Sequence, residues 1–144
     1  MTSLRVLSES DYHEVWTIFH NVFEHKYITE FQVAWNARNP SLSFGLFDEQ
    51  RILIGFLLTK QIKEHHQQIE FIGVSPWVQK GGIGTLLLRK ILDDSTKHQY
   101  AVTLIPVHDE KIIGWYKKHG FVNYGDPRIS PYTGDLEQVM IYSS

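Results

Sequence analysis

The chain has 144 residues, the size of one domain, and its 42% hydrophobic and 13% aromatic content excludes disorder as its main state. A formal net charge of −2 gives no general attraction to nucleic acid, and no basic cluster is longer than Lys117-Lys118. Cysteine is absent, which removes disulfides, thiolate metal sites and any cysteine acyl-enzyme route.

No apolar stretch of signal length opens the chain and no run approaches a membrane span, so a cytoplasmic protein without membrane contact is expected. Residues 4–7 read as a short strand. Ser8-Glu9-Ser10-Asp11 is a helix-start cluster, and Tyr12, Val15, Trp16, Phe19, Val22 and Phe23 then recur on one helical face. After a break at 24–28, Thr29 with Gln32 makes a capping box for a second helix, which Asn39-Pro40 ends. Strands follow over 42–47 and 51–62, with Gly55 suggesting a bulge, and a turn at 63–66 leads to a strand over 68–74. Then come a helix from Ile83 to about Leu92, a strand over 101–107, a short helix ending at His119 and a strand from Phe121 to Tyr124. A Pro/Gly-rich loop over 125–134 precedes a final strand over 136–142.

Between the strand ending at Val74 and the helix starting at Ile83 lies Ser75-Pro76-Trp77-Val78-Gln79-Lys80-Gly81-Gly82. Pro76 lacks a ladder donor and stops the strand. The glycines let backbone N–H groups approach an anion with no Cβ in the way, and a helix N-terminus adds its positive dipole end. A nucleotide P-loop needs Lys and Ser/Thr after its last glycine, where this chain has Thr85-Leu86; the dinucleotide fingerprint needs a third glycine where it has Leu87. The remaining pattern, Gln-x-x-Gly-x-Gly over 79–84, resembles the acyl-CoA pyrophosphate loop of the GNAT superfamily of N-acetyltransferases. On this segment alone a ligand-free glycine turn is the other reading.

The stretch Asp109-Glu110-Lys111-Ile112-Ile113-Gly114-Trp115-Tyr116-Lys117-Lys118-His119-Gly120-Phe121 is similar to the second hallmark of that superfamily, a helix ending in aromatic-Tyr-x-Lys-x-Gly-Phe. Its local form most resembles the histone/lysine acetyltransferase branch. Independently of any family, Asp109 suits a helix N-cap, Gly120 a left-handed C-cap, and Lys117, Lys118 and His119 the negative helix end.

The resemblance implies an α/β fold with a mixed, mostly antiparallel sheet flanked by helices, in which a parallel strand pair, here 68–74 and 101–107, splays apart around acetyl-CoA. It implies that backbone N–H groups of Ile72, Gly73 and Val74 hold the thioester, and that Gln79, Lys80, Gly81, Gly82, Ile83, Gly84 and Thr85 hold the pyrophosphate. Asp109 stands where many members carry a cofactor-contacting Asn, although its capping role explains it equally. Tyr116 stands at the usual general acid; packing as a core aromatic is its alternative. An acceptor ammonium, with pKa near ~10.4, must also lose a proton. The histone branch uses a glutamate at the position held here by Gln68, which cannot titrate. Glu70, two residues on and on the same strand face, is either that base or a solvated carboxylate. His108, at a strand end, is a further candidate.

No metal is expected: the eight histidines form no HExxH, and His20 and His25 face different ways on a helix. The reading is one acetyltransferase domain over 1–144 that takes acetyl-CoA and a primary amine (protein lysine, polyamine or other small amine) by direct sequential transfer. The rivals are a catalytically silent acyl-CoA-binding module and a ligand-free interaction domain. A monomer and a homodimer both stay open, since edge strands near the C-terminus are available for pairing.

Overall fold

Helical and alternating patterns become two units of secondary structure in a computed structural model, which describes residues 2–78 and 81–143. The first unit, Met1–Lys60 with Glu70–Ile91, contains β1 (Ser3–Val6), α1 (Tyr12–Val22), α2 (Ile28–Asn36), β2 (Phe44–Phe47) and most of β3 (Leu53–Lys63). It also takes the C-terminal half of β4 (His66–Val74) and the start of α3 (Ile83–His98). β1, β2 and β3 are antiparallel neighbours, with Leu4 opposite Leu46 and Gly45 opposite Phe56. The apolar faces of α1 and α2 bring Val15, Ile18, Phe19, Phe31 and Trp35 into one core with Phe56, Leu58 and Phe71. The Phe19 and Phe31 rings stack at 4.2 Å, and Phe71 meets Phe19 edge-on at 5.6 Å. Such ring pairs add ~0.5–1.5 kcal/mol each beyond the area they bury.

The start of α1 is organised by Asp11. Its buried carboxylate accepts from the Ser8 N–H at 2.8 Å and from both guanidinium nitrogens of Arg5 at 2.9 Å. The capping box expected at Thr29 is not formed. A 3-10 turn over His25–Tyr27 starts α2 two residues earlier, with Tyr27 at the N-cap, so Thr29 lies inside the first turn, and Gln32 donates to the Tyr12 hydroxyl instead. Asn39-Pro40 does not end α2, which stops at Asn36, and the Asn39 N–H is drawn to the Thr59 carbonyl at 2.6 Å. The bulge sits beside Gly55: Leu46 pairs with Gly55 but Phe47 pairs with Leu53, leaving Ile54 as the extra residue.

The second unit, Gln61–Ile69 with Leu92–Ser144, contains the N-terminal half of β4, the end of α3, β5 (Ala101–Leu104) and α4 (Glu110–Lys118). It continues with β6 (Val122–Asn123), β7 (Arg128–Ile129), β8 (Leu136–Glu137) and β9 (Met140–Tyr142). β4 and β5 run parallel; β9 is antiparallel to both β5 and β6. The sheet is mixed and mostly antiparallel, ordered β1-β2-β3-β4 in the first unit and β4-β5-β9-β6 in the second, and flanked by helices as expected.

Three boundaries differ from expectation. α3 extends to His98 because Leu92 and Ser95 are still on its buried face, Ser95 donating its hydroxyl to the Tyr100 carbonyl. β5 stops at Leu104 rather than at residue 107. The strand expected over 136–142 is broken by Gln138, which is 1% exposed and donates its amide to the Gly125 and Val139 carbonyls at 3.0 and 2.9 Å. That break frees β8 to pair with β7, which lies inside the expected loop, as a separate hairpin.

Candidate active site

The glycine segment is divided by the start of α3. Gly81 and Gly82 form the preceding turn, while Gly84 and Thr85 lie in the first helical turn beside buried Ile83. The Leu86 N–H donates to the Gly82 carbonyl at 3.0 Å, so the N–H groups of Ile83, Gly84 and Thr85 precede any intrahelical acceptor. Gly82 has φ of 85°, and a Cβ on Gly81 or Gly82 would meet nothing within 4 Å. An open, left-handed turn feeding amides that have no intrahelical acceptor has the chemistry of an anion cradle. Gln79 and Lys80, also expected at the cradle, lie outside the described residues.

Alternation along β4 buries Gln67, Ile69, Phe71 and Gly73, and half-buries His66, Gln68, Glu70, Ile72 and Val74 on the other face. Gln68 and Glu70 therefore share a face. Gly73 points the other way, where a Cβ would meet the Phe56 ring at 2.5 Å, so packing alone requires glycine there. The β4–β5 ladder runs from His66↔Ala101 to Ile69↔Leu104, which engages only four of the nine residues of β4. Past Leu104 the chain takes other partners: the Gln138 N–H donates to Pro106, the His108 N–H to Leu136, and Val107 bridges Glu137. The His108 side chain is exposed.

α4 places the remaining candidates. The Asp109 carboxylate accepts from the Lys111 and Ile112 N–H groups at 2.9 and 3.2 Å, which fixes the helix start. Gly120, at φ 97°, closes the other end, its N–H donating to Lys117 and that of Phe121 to Tyr116. Tyr116 is 8% exposed, its ring 5.0 Å from that of Trp115 and 5.6 Å from that of Phe121. Burial pushes its phenol up to about 12, and the hydroxyl makes no hydrogen bond with the described residues. It thus stays protonated near neutral pH with its donor unspent.

Glu70, Ile72, Gly73, Val74 and the start of α3 fall in the first unit; Gln68, His108, Asp109 and Tyr116 fall in the second. Sequence reasoning missed the polar chain in which His66 Nε2 and Thr103 Oγ1 lie 2.7 Å apart and Thr103 Oγ1 donates to Gln68 Oε1 at 3.2 Å; the alternation His66, Gln68, Glu70 was the signal that pointed to it. It also missed Trp77, which is 62% exposed just before the glycine turn. Among the described residues no group of three or more His, Asp or Glu is placed to hold a metal ion, and no helix is long and apolar enough to cross a membrane.

No curated protein matches the sequence significantly. Solved structures resemble its fold over nearly its whole length. The ribosomal-protein-S18-alanine N-acetyltransferase of Escherichia coli superposes with a TM-score of 0.79 at 19% identity, covering 99% of this chain and 94% of that one. Naa50 of Arabidopsis thaliana, in complex with a bisubstrate analogue, gives 0.77 at 22% identity with 99% of each chain covered. A spermidine N-acetyltransferase chimera from Vibrio cholerae and hSSAT gives 0.75 at 20% identity, covering 99% of this chain and 95% of that one. The sequence profile of the acetyltransferase (GNAT) family matches residues 9–121, which take in the glycine turn, β4, β5 and α4. The chain belongs to the acetyltransferase (GNAT) family, and acetyl-CoA is its acyl donor.

Proposed function

We propose that the protein, acting as one domain over residues 1–144, transfers the acetyl group of acetyl-CoA directly to a primary amine on a peptide or a small molecule. The observation that carries this is Tyr116: a buried phenol whose hydroxyl has no partner among the described residues, at the motif position of the general acid. The amine nitrogen attacks the thioester carbonyl, the carbon–sulfur bond breaks, and the departing thiolate needs stabilising. A phenol near 12 is a weaker acid than a thiol of ~8.5, so Tyr116 serves the thiolate mainly as a hydrogen-bond donor, with full protonation following from solvent. Glu70 accepts the proton that the amine loses. Amide groups of Ile72, Gly73 and Val74 hold the thioester oxygen; Gln79, Lys80, Gly81, Gly82, Ile83, Gly84 and Thr85 hold the pyrophosphate; Asp109 shapes α4.

The acceptor class takes support from the relatives, whose names cover a ribosomal-protein alanine and spermidine, both amines. A panel of peptide N-termini, lysine peptides, polyamines and small amines, read by free-thiol release from acetyl-CoA, tests the reading. Turnover of at least one amine is expected. CoA binding without turnover of any amine would establish a silent acyl-CoA module instead.

A further inference from the structure

His20 and His25, whose five-residue spacing would set them about 140° apart on an unbroken helix, are brought together by the end of α1. α1 stops at Val22, and Phe23 and Glu24 are extended, with φ/ψ of −105°/152° and −68°/152°. The turn over His25–Tyr27 then carries the chain back. The Phe23 ring pins this bend, stacking on Phe19 at 5.3 Å and meeting Phe71 edge-on at 5.3 Å. The His20 and His25 rings consequently lie 5.2 Å apart, centroid to centroid, at an interplanar angle of 45°. Trp16, one turn back along α1, stacks on His20 at 5.6 Å and holds its ring. Both histidines are exposed, and neither imidazole has a hydrogen-bond or ion-pair partner among the described residues.

We infer that His20 and His25 form a binding site for a divalent transition-metal ion of the zinc class, with water completing the coordination. Zinc lies ~2.0–2.1 Å from each ligating nitrogen, and tetrahedral geometry then sets two imidazole centroids about 5 Å apart. The observed spacing is the one that a shared ion requires. Imidazole nitrogen suits zinc, copper and nickel, whereas magnesium and calcium favour oxygen ligands. Glu24, the acid between the two histidines in sequence, is engaged by Lys26 at 3.3 Å, so the protein supplies two nitrogens and no carboxylate. The ion cross-links the end of α1 to the turn that opens α2. It touches no residue given a role in acetyl transfer, so the inference stands independently of that reading.

Zinc sulfate titrated calorimetrically into the full chain at about pH 8 tests this, since imidazole ligates in its neutral form. The wild type should bind zinc, and His20→Phe and His25→Phe should each weaken that binding by at least ~10-fold. Phenylalanine keeps a ring in place and removes the nitrogens, which separates ligation from packing, and at two exposed positions it leaves the core untouched. His13→Phe, at an exposed histidine on the same helix, should leave the affinity unchanged. In NMR spectra, substoichiometric zinc should move the imidazole signals of His20 and His25 together, ahead of those of the other histidines. No zinc binding at millimolar concentration, equal affinity in all variants, or a loss confined to one of the two phenylalanine variants overturns the inference.

Discussion

Gly55 of β3 lies so close beneath Ile83, the first residue of α3, that a Cβ on it would meet Ile83 Cγ2 at 2.7 Å and Leu87 Cδ1 at 3.1 Å. The helix whose N-terminus forms the proposed cradle is therefore seated directly on the strand. Gly55→Ala should overpack this contact at a cost of about 1–3 kcal/mol in stability and weaken CoA by lifting the first turn of α3. Thermal melts and calorimetric CoA titration check both; full stability with full affinity would show that α3 absorbs the methyl group.

Gly81 and Gly82 should separate cleanly. Both face open space, but only Gly82 has a left-handed backbone. Gly81→Ala should leave stability unchanged within about 0.5 kcal/mol. Gly82→Ala should lose about 1 kcal/mol or more and loosen CoA, because strain at the turn redirects the amides that follow. In the wild type, CoA at about 100 times its dissociation constant should add roughly 2.7 kcal/mol of stability. An unmoved melting temperature at millimolar CoA would contradict the cradle.

Tyr116→Phe removes a hydroxyl with no hydrogen-bond partner among the described residues, so stability should change by less than about 0.5 kcal/mol. CoA affinity should hold while kcat falls something like 10²-fold. A large loss of stability with kcat intact would make Tyr116 a packing residue. Single-turnover measurement identifies the case in which product release hides the chemical step.

Glu70→Gln keeps the shape and the half-buried position while removing the proton acceptor. A loss of about 10²–10⁴ in kcat/KM is expected, with CoA affinity retained. Full activity in this variant would pass the role to water or to His108, whose own substitution is then the next measurement.

Acid should act first at the start of α1. Hydrogen bonds from Arg5 hold the Asp11 carboxyl below its ordinary 3.8 despite burial. A depressed folded pKa means that the stabilisation is complete above the unfolded value and is lost as pH falls through the folded one. Stability should hold above about pH 5 and decline below 3.8, and Asp11→Asn should flatten that decline while costing about 1–3 kcal/mol near neutrality. The Arg5 side chain is 51% exposed, so solvent screens part of the ion pair, and the Ser8 amide bond carries the remainder. Denaturant melts from pH 7 to pH 2 measure both curves.

The sequence by itself determined the order of elements as far as β6, the glycine turn and both ends of α4, because these are local: a cap, a left-handed glycine and a helical face are decided within a few residues. It also placed Gln68 and Glu70 on one face, since strand alternation needs no partner. Only the tertiary structure decided where β5 ends, because residues 106–108 exchange bonds with 136–138, distant along the chain. The break at Gln138 and the start of α2 were likewise decided by partners elsewhere, the Gly125 carbonyl for one and the Tyr12 hydroxyl for Gln32 in the other. The same holds for the chain from His66 through Thr103 to Gln68. It exists because two strands lie in parallel register, and register between separate strands is set by the packing of the sheet rather than by either sequence alone.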